Sequence, residues 1–296
     1  MNLESIDFHA IAARERTALE FRQECEQLSR LEFTPLLARA EANTKIRKSM
    51  RVDYRLTSLS LAHHKTSGHN VCSQASAACS AACVGSENIG LAQVFGAVMD
   101  SRIRRTRFLM EDRPRFLRVL IGELHSQQRI AERNIAVLAC RLNQFSDISW
   151  EDKNGNFGCI PQMFPECIFW DYTKVHSRLY RVPDNYHLCG SWSELKRHQA
   201  ACESLLNDGY NVAMVFSDNT GSPGKGAKNQ QLPKRHKIGG HWFEVYSGDD
   251  SDLRFLDPGE TRGGYGRICG LTLKSGNTVS RESAIRAGFS VHREEA

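Results

Sequence analysis

Three cysteines, Cys72, Cys79 and Cys83, fall within twelve residues of the stretch SGHNVCSQASAACSAACVGSENIG. The residues between them are almost all Ser and Ala, which fill space without imposing a fold. Thiolates are soft donors, suited to zinc and to iron–sulfur clusters. The spacing, C-x6-C-x3-C, suits a [4Fe–4S] cluster, because a loop must wrap the cube so that each sulfur reaches a different iron. Three thiolates leave one iron open to a substrate or cofactor. Zinc is the alternative, with His64 or His69 as a fourth ligand, although structural zinc sites favour tighter C-x2–4-C pairs. The plainest competing reading is three unliganded core thiols.

A second group of residues sits where apolar runs end. Arg141, Asn143 and Asp147 follow the run IAVLACRL, and Asp171, Tyr172 and Lys174 end or follow CIFWDYT. His187 and Ser191 belong to YHLCGS, and Ser217 closes NVAMVFS. In a parallel sheet such strand ends converge on one face, and convergent polar groups beside a cofactor make an active site. Asp147, Asp171, Tyr172, Lys174 and His187 are the catalytic candidates. Arg141, Asn143, Ser191 and Ser217 are the candidates for holding a cofactor. Taken singly, each is better explained by the polarity of loops, and only the joint pattern points to a site.

The elements that must position these residues follow from periodicity. Residues 1–43 form an N-terminal helical extension that reads as helical over 5–43, with Pro35 as a break. Residues 44–296 form an α/β domain that carries the cysteine loop. Strands are expected over 51–62, 135–142, 167–173, 186–191, 211–217, 241–247 and 253–257. Helices are expected over 89–110, from Asp112 and Pro114 onward, and over 191–209, where Gly209 closes the turn. Strands alternating with helices predict a parallel α/β fold, a complete or partial (β/α) barrel, with an open doubly wound sheet as competitor. The cysteine loop lies between the first strand and the next helix, which in a barrel is the active face. Neither G-x-G-x-x-G after a strand nor G-x-x-x-x-G-K-[ST] occurs, so those routes to nucleotide binding are unsupported.

The chain has 296 residues, 41% hydrophobic and 25% charged, with a net charge of +5. These values describe an ordinary globular protein. Apolar runs are short, which argues against a membrane span, and the start MNLESIDFHA has no apolar signal core. A cytoplasmic protein with reduced thiols is expected, and the other seven cysteines read as small core residues. Two basic segments, 102–107 and 225–237, are the candidate contacts for a nucleotide or nucleic acid. Four aspartates between 249 and 257 suggest a hard-cation site, but their spacing fits a turn better.

Several blocks together resemble a bacteriophage family, the gene product 88 domain. They are NTKIRKS (43–49), SLSLAHHKTSGHNVCSQASAACSAACVG (58–85), RLNQFSDISWE (141–151), FWDYTKV (169–175), NYHLCGSWSE (185–194), NVAMVF (211–216) and DLRFLDPG (252–259). The resemblance covers roughly 43–276 and implies a phage protein acting in the infected host cell. The layout of cysteine loop, helix and strand ends is more distantly similar to radical S-adenosylmethionine proteins, whose ligand spacing is C-x3-C-x2-C. That likeness implies S-adenosylmethionine on the open iron and a radical enzyme acting on a nucleotide or nucleic-acid-related substrate. The alternative is a metal-stabilised nucleic-acid-binding or host-takeover protein without catalysis.

Overall fold

The computed structural model describes residues 15–31, 35–39, 53–86, 95–152, 157–217, 232–273 and 284–292. Its centre is one ten-stranded, mostly parallel sheet. The strands are β1 (Leu37–Arg39), β2 (Tyr54–Leu59), β3 (Val137–Arg141), β4 (Ile168–Thr173), β5 (Tyr186–Ser191), β6 (Val212–Ser217), β7 (Arg235–Ile238), β8 (His241–Ser247), β9 (Ile268–Thr272) and β10 (Val291–His292). They lie in the order β1-β2-β3-β4-β5-β6-β9-β8-β7, with β10 added to β6. From β2 to β6 each strand neighbours the next in sequence, without the reversal that marks a doubly wound sheet. Among the described residues no pairing joins β1 to β7, so the sheet is not closed.

The described α-helices are α1 (Glu15–Leu31), α2 (Ala77–Ala81), α3 (Gly96–Glu111), α4 (Arg113–Arg133), α5 (Ile160–Met163) and α6 (Lys196–Asn207), with 3-10 turns at His176–Tyr180 and Arg254–Leu256. Helix α4 starts where the sequence predicts: the Asp112 side chain accepts from the Arg115 amide, and Pro114 sits in the first turn. Its apolar stripe, Phe116, Leu117, Leu120, Ile121 and Leu124, is buried against the sheet. Among the described residues no helix is long and apolar enough to cross a membrane.

Strand alternation sorts the core into two faces. Leu138, Cys140 and Phe169 pack with α4, while Val212, Met214 and Phe216 pack with Cys202, Leu205 and Leu206 of α6. The residues between them point the other way. Leu56, Ala139 and Trp170 meet Leu253, and Cys189, Ala213 and Cys269 form a cluster with Tyr172 and Leu271. One face is therefore covered by helices, and the opposite face is left for other segments.

Several expected elements differ. The helical extension does not run through to residue 43: α1 is described to Leu31, and 37–39 form an edge strand antiparallel to β2. The amides of Leu36 and Leu37 each donate to the buried Glu123 carboxylate at 2.8 Å, which fixes that edge to α4. Helix α1 approaches α4 closely because a Cβ on Gly122 would collide with the Cys25 carbonyl. Residues 253–257 are not a strand but a 3-10 turn over Arg254–Leu256. Its Leu253 and Phe255 instead bury on the uncovered face, where Phe255 meets Tyr54 and Trp170 edge to face. Of the basic loop, 218–231 lie outside the described residues. Its end forms β7, joined to β8 by Gly239-Gly240 with positive φ at both, the geometry a two-residue hairpin demands. Lys45, Arg47, Lys48 and Arg51, and the first part of the helix expected over 89–110, also lie outside the described residues.

Candidate metal and ligand site

The uncovered face continues upward from Ala139, Trp170, Cys189, Ala213 and Cys269. Two residues further along each strand, the same side chains' successors are Arg141, Tyr172, Ser191, Val215 and Leu271. All five line one cavity of about 220 Å³. The cavity thus lies at the C-terminal ends of the parallel strands, on the face the helices do not cover. Its opposite wall is the cysteine loop: Cys72, Ala75, Cys79, Ala82 and Cys83 all face it. Asn143, Asp147 and Lys174 are also among its polar lining residues.

The loop is fixed at several points. Ser76 caps the short helix α2 by accepting from the Cys79 amide at 3.1 Å. The Glu194 carboxylate accepts from the Ser76 hydroxyl at 2.8 Å and the Ala78 amide at 3.4 Å, tying the loop to the end of β5. A Cβ on Gly85 would stand 2.6 Å from the Phe145 ring, so glycine lets the loop press against residues 141–150. Arg102 closes the back by donating to the Gly85 carbonyl at 2.9 Å and stacking 4.2 Å from the centre of the Phe145 ring.

All three loop cysteines are free and half-buried. The Gly85 amide donates to the Cys83 sulfur at 3.4 Å, and the Cys72 thiol lies 3.6 Å from the Phe145 carbonyl. Burial pushes the Cys72 thiol up to about 12 and the Cys83 thiol up to about 11. Without a cation these thiols are protonated at neutral pH, and a bound metal is what displaces such protons. Among the described residues no three His, Cys, Asp or Glu side chains converge on a single ion. A cubane does not require that convergence, since each thiolate binds a different iron. Three free thiols along one cavity wall, with a backbone N–H aimed at one sulfur, are a donor set that fits a cluster. His69 pairs with Glu111 at 3.5 Å, and His64 lies 3.2 Å from the Ser80 hydroxyl.

The structure separates the strand-end residues into three groups. Arg141, Asn143, Asp147, Tyr172, Lys174 and Ser191 line the cavity with the cysteines. Asp171 does not. It has the opposite parity to Tyr172 and is fully buried, accepting from the Asn143 amide at 2.9 Å and the Tyr186 hydroxyl at 2.8 Å. Burial raises its carboxyl to about 7, against the pull of Arg141. His187 and Ser217 are also elsewhere. His187 has the right parity but sits four residues below Ser191, beside Phe255, and lines a second cavity of about 290 Å³ at the other end of β5. Ser217 pairs with the Ser290 hydroxyl at 2.8 Å where β10 joins β6.

Within the cavity, roles also divide. Arg141 is held by Asp252 at 2.7 Å and Asp171 at 3.5 Å. Asn143 is a structural knot: its carbonyl accepts from Ser146, Ile148 and Trp150, shaping the loop after β3. The Tyr172 ring forms wall, whereas its hydroxyl is buried without a hydrogen-bond partner. Asp147 accepts from Arg178 at 2.7 Å and from the Lys174 amide at 2.8 Å. Lys174 extends its ammonium to the Ser191 hydroxyl at 3.1 Å.

Arg178 and Glu151 went unnoticed in the sequence. Arg178 forks onto Glu151 with two bonds of 2.8 and 2.9 Å and also reaches Asp147, so one buried guanidinium locks two loops beneath the cavity. The available signal was a charge inside the apolar turn HSRLY. The aspartates after β8 are likewise spent internally. Asp249 accepts from the Thr272 amide and hydroxyl, and Asp252 holds Arg141. Of the basic run 102–107, Arg102 is buried behind the cysteine loop, and Arg105 and Arg107 donate to the carbonyls of Pro35 and Ser67.

Comparison with curated proteins and with solved structures gave no match. A family model does match, over residues 34–290, and it spans β1, the cysteine loop and every strand that lines the cavity. The chain therefore belongs to the bacteriophage gene product 88 family.

Proposed function

We propose that this protein is a phage iron–sulfur enzyme whose Cys72, Cys79 and Cys83 hold a [4Fe–4S] cluster with one iron open to a small ligand. The single observation behind this proposal is the meeting of three free loop thiols and six strand-end polar residues around one cavity. When bound, such a cluster supplies electrons and a vacant coordination position. The protein's own part is to place and shield the ligand. Lys174 and Ser191 offer a cation and a hydroxyl, and Tyr172, Val215, Leu271 and Phe289 give an apolar wall that excludes water. Arg178 fixes Asp147, and Asp147 fixes the Lys174 backbone, so Asp147 acts through position rather than as an acid.

We read the open sheet as a partial (β/α) barrel, with the cavity at its C-terminal mouth. S-adenosylmethionine is the cofactor we propose for the open iron, and a nucleotide or nucleic-acid base the substrate class. A cavity of about 220 Å³ falls short of the roughly 300–1,000 Å³ of drug-sized ligand sites. The described walls would therefore take only part of such a cofactor, and the rest would project beyond them.

The test is metal analysis of protein purified without oxygen and reconstituted with iron and sulfide. About four irons and four sulfides per chain are expected, with the visible absorption of a cluster. Stoichiometric zinc without iron overturns the proposal and leaves the metal-stabilised binding protein in its place.

A further inference from the structure

Lys174 stands out among the charges of the cavity. Arg141 is paired with Asp252 at 2.7 Å and has Asp171 at 3.5 Å. Arg178 is paired with two carboxylates, Asp147 and Glu151. Asp147 is saturated by Arg178 and by a backbone amide. Lys174 is half-buried and its ammonium meets a neutral hydroxyl, Ser191 Oγ, at 3.1 Å. Among the described residues it has no carboxylate partner. A half-buried ammonium in a largely apolar cavity is costly unless an anion joins it, because opposite charges attract more strongly where water is excluded. The hydroxyl beside it adds a donor that would bind an anion's second oxygen.

We infer that Lys174 and Ser191 form the seat for a compact anionic headgroup, a carboxylate or a phosphate, on the cavity's ligand. The seat is built from two adjacent parallel strands, since Lys174 follows the end of β4 and Ser191 ends β5. The Asp147 bond to the Lys174 amide sets the direction of that side chain, and Arg178 holds Asp147 in turn. The ligand's other end meets the apolar wall of Val215, Leu271 and Phe289. The headgroup is thus held at the β4–β5 corner, and the body lies against β6 and β9. This assignment deepens the proposed function and rests on the same cavity, but it does not require the cluster.

One alternative is that Lys174 serves only to offset the charge of sulfurs nearby, Cys83 above all. Thermal unfolding separates the two. Full-length protein is melted in sodium phosphate, sodium acetate or sodium chloride at matched ionic strength, with and without reconstituted iron. Wild type is expected to melt higher in phosphate or in acetate than in chloride, and the more effective anion identifies the headgroup. Lys174→Met should weaken the apparent affinity for that anion at least tenfold, Lys174→Arg should retain most of it, and Ser191→Ala should fall between. Iron content of each variant is measured alongside. An anion effect that persists in a Cys72/Cys79/Cys83→Ala triple variant, which holds no iron, supports the seat even if the cluster proposal fails. No anion effect in wild type, or an equal effect in Lys174→Met, overturns the inference. So does a Lys174→Met protein that loses iron while keeping the anion response.

Discussion

The uncovered face of the sheet has two ends built from the same strands, and they differ completely. At the C-terminal end, Arg141, Tyr172, Ser191, Val215 and Leu271 surround an open cavity faced by three thiols. Towards the N-terminal end, Leu56, Ala139 and Trp170 pack against Leu253 and Phe255 of the 3-10 turn, and the second cavity lies beside them at His187. Strand parity assigns all of these residues to one face. What separates wall from plug is only the level along the strand and the segment that covers it. The cysteine loop, capped by Ser76 and braced by Glu194, stands off the upper end. The turn after β8, anchored through Asp252 to Arg141, is drawn down onto the lower one. A parallel sheet thereby keeps a packed base under an open mouth.

The sharpest way to break this contrast is to remove the thiols. Changing Cys72, Cys79 or Cys83 to Ala should reduce bound iron from stoichiometric to near zero while moving the urea midpoint little, since these side chains are half-buried. Cys140→Ala, on the helix-covered face and fully buried, should leave iron intact. If iron survives in all three loop variants, the mouth is not a metal site. At the lower end the order reverses. Leu253→Ala, which truncates a side chain 1% exposed, should cost about 2–5 kcal/mol of stability with iron binding retained in the folded fraction. Chemical denaturation measures the cost, and a loss under 1 kcal/mol would mean that the turn is not a plug.

Asp171 gives the subtlest effect, because it lies at the cavity's level but on the wrong face. Its carboxyl is raised to about 7 by burial, so the folded protein keeps a proton that the unfolded chain releases near pH 4. That contribution to stability is complete below about pH 4 and declines as pH rises to about 7. Asp171→Asn removes the titration and keeps an acceptor for the Asn143 amide. The stability gap between wild type and variant should narrow as pH rises through that window. A gap that is constant or widens would show that the group is ionised in the fold throughout.

Much of this was legible in the chain. Apolar runs placed β4, β5, β6 and β8 within a residue or so, and the Asp112-x-Pro signal placed α4. Polar residues after β3 and β4 did reach the cavity, because side chains of one parity at the C-terminal ends of neighbouring parallel strands share one face. Strand β9 and the hairpin strand β7 were missed, since RICGLT and RHKI are short and carry glycine or charge. The mistake at 253–257 has a related cause. A short apolar run reads alike whether it pairs in a sheet or plugs one.

The cysteine spacing, the alternation of strands and helices and the family blocks are properties of the sequence alone, because they depend on residue type and local periodicity. The tertiary structure decided which candidates share a site. His187 and Ser191 lie on one face of one strand, four residues apart, yet only Ser191 reaches the cavity. Asp171 and Tyr172 are adjacent, yet the pleat sends one beneath the helices and the other to the cavity wall. Arg178 became visible only as the partner of Asp147 and Glu151, residues 31 and 27 positions away. Contacts across such distances arise from strand order and packing, and no local pattern records them.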